Sequence, residues 1–347
     1  MDPIRLGIIG AGPIVEKKHL PALAEVGEIS VVAACRRNPA ALQQLADRFR
    51  IPGRHADYRA VLDDPTIDAV LIAAGPPAQG QMVVDAAVAG KHILVEKPLA
   101  ESSAEARAMC EAVRRAGVHF QVGFNKRFYY GYREARRVID QGDLGPVSGI
   151  DARFWFQSGR RDGLLHNGIH FFDLLRFLAG PVQSVFARRN APQGNGVPGD
   201  TVAVSLAFQA GAVGSLLLSS LGAWDYPNER VDIVGSTTSA LTVDNGREVR
   251  VFRRGEGRPA DLYENTLSVH WWSGHDEQGF IPQLRLFARR IREGVPGPVP
   301  AAGASDGIAS LVVLEAVRRS IDDGNPVAVP AFEDFDLEAA AGPTLRT

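Results

Sequence analysis

Short, nearly uninterrupted apolar runs alternate with helix-period segments through the first third of the chain. The runs lie at 4–9, 29–35, 69–73, 92–95 and 119–122. Their lack of polar alternation predicts strands buried on both faces of a parallel sheet. The helical segments between them have readable ends. Asn38-Pro39 offers a capping side chain followed by a proline suited to the first helical position. Ser102-Ser103-Ala104-Glu105 has capping-box spacing, and Gly117 after Arg114-Arg115-Ala116 is a suitable stop. A strand–helix rhythm with short loops predicts a doubly wound α/β domain.

Past residue 123 the pattern changes. A helix over 130–141 ends at Gly142-Asp143-Leu144-Gly145-Pro146, and a strand near 148–156 and a helix over 164–179 follow. Strands then dominate. Val202, Val204, Leu206 and Phe208 alternate along a half-buried strand, and Ala210-Gly211 and Asn245-Gly246 read as hairpin turns. Helices over 282–293 and 305–322 close the chain. We expect two domains: 1–122, doubly wound, and 123–347, an α+β domain with a mostly antiparallel open sheet. A late helix is available to pack back on the first domain.

Composition changes this picture little. Among 347 residues, 38 Lys plus Arg face 40 Asp plus Glu, a balance that favours neither nucleic acid nor a polybasic membrane contact. Cys35 and Cys110 are too few for a disulfide framework, so a reducing compartment fits best. No basic-then-apolar leader opens the chain, and no apolar run nears the ~20 residues of a spanning helix. The expected location is cytoplasmic.

Chemistry concentrates in three places. In Leu6-Gly7-Ile8-Ile9-Gly10-Ala11-Gly12-Pro13-Ile14-Val15 a strand meets a glycine pair and then a helix, the context of a dinucleotide fingerprint. Gly10 permits the tight turn and Gly12 lets a pyrophosphate approach the helix N-terminus. Val15 at the third glycine position implies looser helix–strand packing. The second strand ends in Arg36-Arg37, where an NAD site carries an acid for the ribose diol. Guanidinium forks suit a 2′-phosphate, so NADP(H) is favoured, with NAD(H) the alternative and two solvated arginines the bland reading.

The second place is Glu96-Lys97-Pro98, where a strand reaches the carboxyl edge of the sheet. A lysine there can donate to a substrate oxygen, although an ordinary surface ion pair explains the same residues. Its proline stiffens the turn, and cis is one option for the bond. The third is His166-Asn167-Gly168-Ile169-His170 with Asp173. On one α-helix His166, His170 and Asp173 share a face. His170 could serve as a general base, the set could ligate zinc, or the residues could line an interface.

Taken in order, these segments resemble the Gfo/Idh/MocA family of oxidoreductases, typified by glucose–fructose oxidoreductase and inositol dehydrogenase. The likeness runs through Gly10-Ala11-Gly12, His19-Leu20-Pro21-Ala22-Leu23 and Asp68 to Ala73. It continues through Gly90-Lys91-His92 with Glu96-Lys97-Pro98, then Gly123-Phe124-Asn125-Lys126-Arg127-Phe128, Gly168-Ile169-His170 and the late helix. The resemblance implies a Rossmann domain and a nicotinamide-dependent oxidoreductase acting on a secondary hydroxyl or ketone of a sugar, polyol or sugar derivative, nucleotide sugars included. It implies Lys97 and His170 as the catalytic pair. Cofactor contacts would come from Gly10, Gly12, Pro13, Ile14, Arg36, Arg37, Ala74, Gln79, Glu96, Lys97, Pro98, Asn125 and Arg127. Substrate contacts would come from Lys97, His166, Asn167 and His170, with no metal; Arg160, Arg161 and Asp162, just before the helix over 164–179, are either specificity contacts or a solvated loop.

Two departures stand out. His166 occupies the position where relatives often carry an Asp, four residues before the catalytic histidine, and Gln79 stands where they commonly carry a histidine. Two other readings stay open: a dinucleotide-binding regulator of the same fold, and redox-neutral elimination or hydrolysis with the cofactor recycled. Trp271-Trp272 could stack on a sugar or simply pack. A homo-oligomer, dimer or tetramer, is expected because the second domain's sheet has a face its own helices cannot cover.

Overall fold

The computed structural model describes residues 2–156, 163–190, 201–222, 228–255, 259–264, 278–294 and 300–330. Arg160, Arg161, Asp162 and Trp271-Trp272 lie outside the described residues. The chain forms two units, one taking Met1–Asn125 and Trp271–Ile308 and the other Lys126–His270 and Ala309–Glu333.

In the first unit, strands β1 (Ile4–Ile9), β2 (Ile29–Cys35), β3 (Gly53–His55), β4 (Ala69–Ile72), β5 (His92–Val95) and β6 (Phe120–Val122) form one sheet in the order β3-β2-β1-β4-β5-β6. Every pairing is parallel, which is the doubly wound order with its switch point between β1 and β4. β4 is buried at every position and β1 at every position but Arg5, as apolar runs in a parallel sheet require. The helix after β1 contains a π turn, Val15–His19, before α1 (Leu20–Leu23). Val15 is fully buried there, so the wider turn stands where a third fingerprint glycine would let an α-turn pack closer. α2 (Pro39–Phe49), α3 (Arg59–Leu62), α4 (Pro76–Val88) and α5 (Ser103–Ala116) complete the early helices.

Capping follows the sequence. The Asn38 side chain accepts from the Ala41 N–H at 3.0 Å, and Ser102 Oγ accepts from the Glu105 N–H at 3.2 Å. The Glu105 carboxylate accepts from the N–H of Glu101, one residue further out than the capping-box pattern places it. Gly117 closes α5 in the left-handed region, φ 65°. The late helix Phe280–Glu293 buries Phe280, Ile281, Leu284, Phe287, Ala288 and Ile291 in the same apolar core as β1, α1 and α2. Burying each of the Phe, Ile and Leu side chains contributes about 1.5–3 kcal/mol.

The second unit holds α6 (Tyr130–Asp140), β7 (Val147–Trp155), a π turn over Leu164–Gly168, α7 (Ile169–Ala179), β8 (Val182–Arg189), β9 (Thr201–Phe208), β10 (Val213–Ser219), β11 (Asn228–Gly235), β12 (Ala240–Asp244), β13 (Glu248–Phe252) and β14 (Asp261–Glu264). After Phe280–Glu293, numbered α8, come α9 (Ala304–Asp323), whose residues from Ala309 belong to this unit, and β15 (Val327–Ala328). One sheet of nine strands runs β14-β13-β12-β11-β7-β10-β9-β8-β15. Only β7 with β10 is parallel. Val202, Val204, Leu206 and Phe208 are buried, and the residues between them face outward or are half-buried. Asn245 and Gly246 both have positive φ in the β12–β13 turn, as an Asn-Gly hairpin requires. The outer face carries a lattice of charges, Arg230 with Asp232 and Arg250 with Asp244 among them. Val213, Val234 and Leu262 stand exposed on it. No helix among the described residues is long and apolar enough to cross a membrane.

Candidate active site

In the first unit, three strands end at one edge and deliver the first motifs together. β1 runs into Gly10, whose φ of 86° and tight fit both demand glycine: a Cβ there would lie 2.7 Å from the Ala73 carbonyl carbon and oxygen. Gly12 differs. A Cβ on it would meet nothing nearer than the Gly10 carbonyl oxygen at 3.9 Å, so the protein's own packing does not require glycine there. Open space over the start of the helix is what a pyrophosphate needs. The residues present therefore fit a dinucleotide. Pro13 is exposed and Ile14 half-buried beside this turn. β2 ends in Cys35, buried, with its thiol pushed up to about 11 by that burial, and is followed by half-buried Arg36 and exposed Arg37. Ala74 follows β4 at the switch point.

β5 delivers Glu96-Lys97-Pro98, whose Lys97–Pro98 bond is cis. Lys97 is half-buried. Gln79 and Glu96, expected on the cofactor, both have side-chain bonds within and beneath this turn. The Gln79 amide nitrogen donates to the carbonyls of Glu96, Pro98 and Leu99 at 2.8, 2.9 and 3.3 Å. Its side chain is buried beneath the turn, and the amide's two hydrogens serve carbonyls on both sides of Lys97. Glu96 Oε1 lies 2.7 Å from His19 Nε2, and Oε2 accepts the Lys97 backbone N–H at 3.2 Å.

The segment Asn125-Lys126-Arg127 is a run of three anchors. Asn125 Nδ2 donates to the Gln278 carbonyl at 3.1 Å, and the Gln278 side chain accepts from buried Lys18 at 2.5 Å. In the second unit, Lys126 pairs with Glu229 while standing over the rings of Tyr129, Phe154 and Phe171. The Tyr132 hydroxyl also donates to Glu229, at 3.0 Å. Burial and the nearby Glu229 charge hold both the Tyr129 and Tyr132 hydroxyls well above their ordinary range. Arg127, expected beside the cofactor, sets its fork on Asp173: Nε to Oδ2 at 2.7 Å and Nη2 to Oδ1 at 2.6 Å, both side chains nearly fully buried.

That pair determines how the third motif is built. His170 and Asp173 lie on α7, with His170 8% exposed. His166 and Asn167, both half-buried, sit in the preceding π turn. The single α-helix expected over His166, His170 and Asp173 is therefore interrupted, with His166 on π-type backbone and His170 on α-type. Asp173 serves Arg127, with Ser310 Oγ 3.5 Å from its Oδ1, and does not complete a ligand set. Among the described residues, no group of three His, Cys, Asp or Glu side chains is arranged to hold a metal.

The partner roles of buried His19, Gln278, Ser310 and Glu229 were not among the sequence expectations. His19 had a visible signal, a polar residue on the inward side of the first helix, nine positions past Gly10. The others are far from their partners along the chain and carry no local mark.

A doubly wound sheet with a glycine turn at its switch point and a lysine turn on the same edge defines a dinucleotide-dependent oxidoreductase. Residues 4–124 match an oxidoreductase family with an NAD-binding Rossmann fold, and residues 136–329 match its C-terminal alpha/beta domain. The chain belongs to this family, the Gfo/Idh/MocA oxidoreductases. An uncharacterized oxidoreductase of Bacillus subtilis, YrbE, is 29% identical over 94% of this chain and 97% of its own length. Myo-inositol 2-dehydrogenase of Thermotoga maritima is 26% identical over 93% and 98%. Among solved structures, levoglucosan dehydrogenase with NADH and L-sorbose superposes with a TM-score of 0.84, covering 96% of this chain and all of that one at 22% identity. That likeness supports the fold.

Proposed function

We propose that this oxidoreductase exchanges hydride between a nicotinamide cofactor and a secondary hydroxyl or ketone of a sugar, polyol or sugar derivative, with Lys97 and His170 as its catalytic pair. The observation that carries the reading is the clamped Glu96-Lys97-Pro98 turn on the same sheet edge as the Gly10-Gly12 turn. A nicotinamide dinucleotide, when bound, supplies the hydride acceptor or donor. Lys97 donates a hydrogen bond to the substrate oxygen and stabilises the negative charge that develops there. His170 takes the hydroxyl proton during oxidation and returns it in the reverse direction. His166 and Asn167, on the turn before α7, contact the substrate. The names of curated relatives, inositol and levoglucosan dehydrogenases, support the substrate class.

Arg36 and Arg37 select NADP(H) over NAD(H) by pairing with the 2′-phosphate, a reading supported by their place at the end of β2. The exposed Val213, Val234 and Leu262 on the open face of the nine-stranded sheet support self-association through that face.

A panel of sugars, polyols and nucleotide sugars, followed by nicotinamide absorbance with both cofactors, tests the function. Stoichiometric reduced cofactor is the expected outcome. Turnover without it would support the redox-neutral reading, and binding without turnover the regulator. Lys97→Met should bind cofactor yet lose about 100-fold or more in kcat, and wild-type kcat in that variant would refute its role. Replacing Arg36 and Arg37 by serine should weaken NADP(H) about tenfold more than NAD(H), a difference of about 1.4 kcal/mol. A chelator should leave the rate unchanged.

A further inference from the structure

The groups on both sides of Lys97 are gripped from within the first unit. Gln79 holds the carbonyls of Glu96 and Pro98, and the Glu96 carboxylate folds back over the Lys97 peptide to accept its N–H. Glu96 is itself held by one side chain, His19, at 2.7 Å. That histidine is 1% exposed and its ring stands edge-on to Phe280, with centroids 5.0 Å apart. Its Nδ1 has no hydrogen-bond partner among the described residues. The ring's polar contact is therefore directed at Glu96. An ionised carboxylate only accepts, so such a contact takes its hydrogen from Nε2.

A buried imidazole–carboxylate contact is a weak device for stability alone, since apolar packing serves as well or better. Its value here is geometric. A lysine side chain has four rotatable bonds, and its ammonium can be aimed only if the backbone beneath it does not move. Misplacement by about 1 Å costs on the order of 100-fold in rate.

We propose that His19 is a positioning residue for Lys97: it fixes the Glu96 carboxylate across the Lys97 peptide and so sets the backbone from which the ammonium reaches the substrate oxygen. The inference rests on Lys97 acting as proposed above. His19 touches neither substrate nor reacting atoms in this scheme.

Two substitutions of like polarity separate positioning from mere packing. The amide nitrogen in His19→Gln extends to about the place of Nε2, and in His19→Asn it stops one methylene short. His19→Asn should lower kcat about 10- to 100-fold while substrate KM and the Kd for reduced cofactor, read by nicotinamide fluorescence, stay within about twofold. His19→Gln should recover kcat to within about threefold of wild type. In a Lys97→Met background, His19→Asn should cause no further loss, because there is no ammonium left to aim. Glu96→Asp keeps the charge but withdraws it from His19, and should lower kcat as His19→Asn does, which keeps the test alive if His19→Asn fails to fold.

Equal kcat in the Gln and Asn variants would overturn the inference. So would an equal further loss in the Lys97→Met background, or changes confined to thermal stability. If Lys97→Met is inactive while His19→Asn and Glu96→Asp turn over normally, only the positioning role fails. If Lys97→Met keeps wild-type kcat, the reading beneath it fails first.

Discussion

Glu96 in the first unit and Asp173 in the second are both buried carboxylates close in sequence to a proposed catalytic side chain, yet they are held in opposite ways. Glu96 shares its turn with several weak partners: an imidazole, a backbone N–H and, alongside, the three-carbonyl hook of Gln79. Asp173 meets the permanent charge of Arg127 in a two-bond fork, with Phe177 under the guanidinium at 5.1 Å. A distributed grip loses a little when any member goes. A buried fork between two charges loses more when one member goes, because the survivor stays buried with its charge.

The largest effect should therefore come from Asp173→Ala, which takes the two-bond fork away from the buried Arg127 guanidinium. We expect a loss of about 3–5 kcal/mol in denaturant unfolding, and a loss under about 1 kcal/mol would mean that the fork contributes no more than a surface pair. Next comes acid. Burial, with help from His119, pushes His92 down to about 4, and His119 is itself lowered by burial and Arg290. An unfolded histidine titrates near 6.5, so below that pH the unfolded chain binds more protons than the folded one. Stability contributed by neutral His92 is complete above about pH 6.5 and is lost as the pH falls toward 4, by up to about 3 kcal/mol. His92→Asn should flatten that slope, and an unchanged slope would remove His92 from the account.

Gln79→Leu should cost about 1–3 kcal/mol by stranding buried carbonyls, and should also lower kcat through the Lys97 turn. A loss of stability with kcat untouched would separate the hook from the chemistry. The smallest change, Asn38→Ala, removes the cap of α2 and should cost about 1 kcal/mol with no change in kcat. It sets the baseline for the other three.

What could be read beforehand followed local rules. Strand runs, the Asn38 and Ser102 caps, the Gly117 stop and the Asn245-Gly246 turn each depend on neighbours within a few residues. The candidate site was legible only as a set of positions. That Lys97 ends a strand at the ligand edge follows from the strand rhythm; that Gln79 and Glu96 support the turn depends on partners 17 and 77 residues away. The Arg127–Asp173 fork could not be read beforehand, because the two residues lie 46 positions apart on different elements. The π turns were hidden for a different reason. They arise where tertiary packing overrides the 3.6-residue repeat, and apolar periodicity over five residues cannot separate the two.

Those π turns also bear on how the chain can tolerate changes in its length. Each carries one residue more than an ordinary helical turn in the same span, one just after the glycine pair and one just before His170. Deleting a single residue between Val15 and Lys18 offers the backbone a regular α-turn in place of a bulge, so the fold has a ready way to absorb the loss. His19 would then stand at a new angle to the glycine turn, so a change in length that leaves folding intact could still alter catalysis.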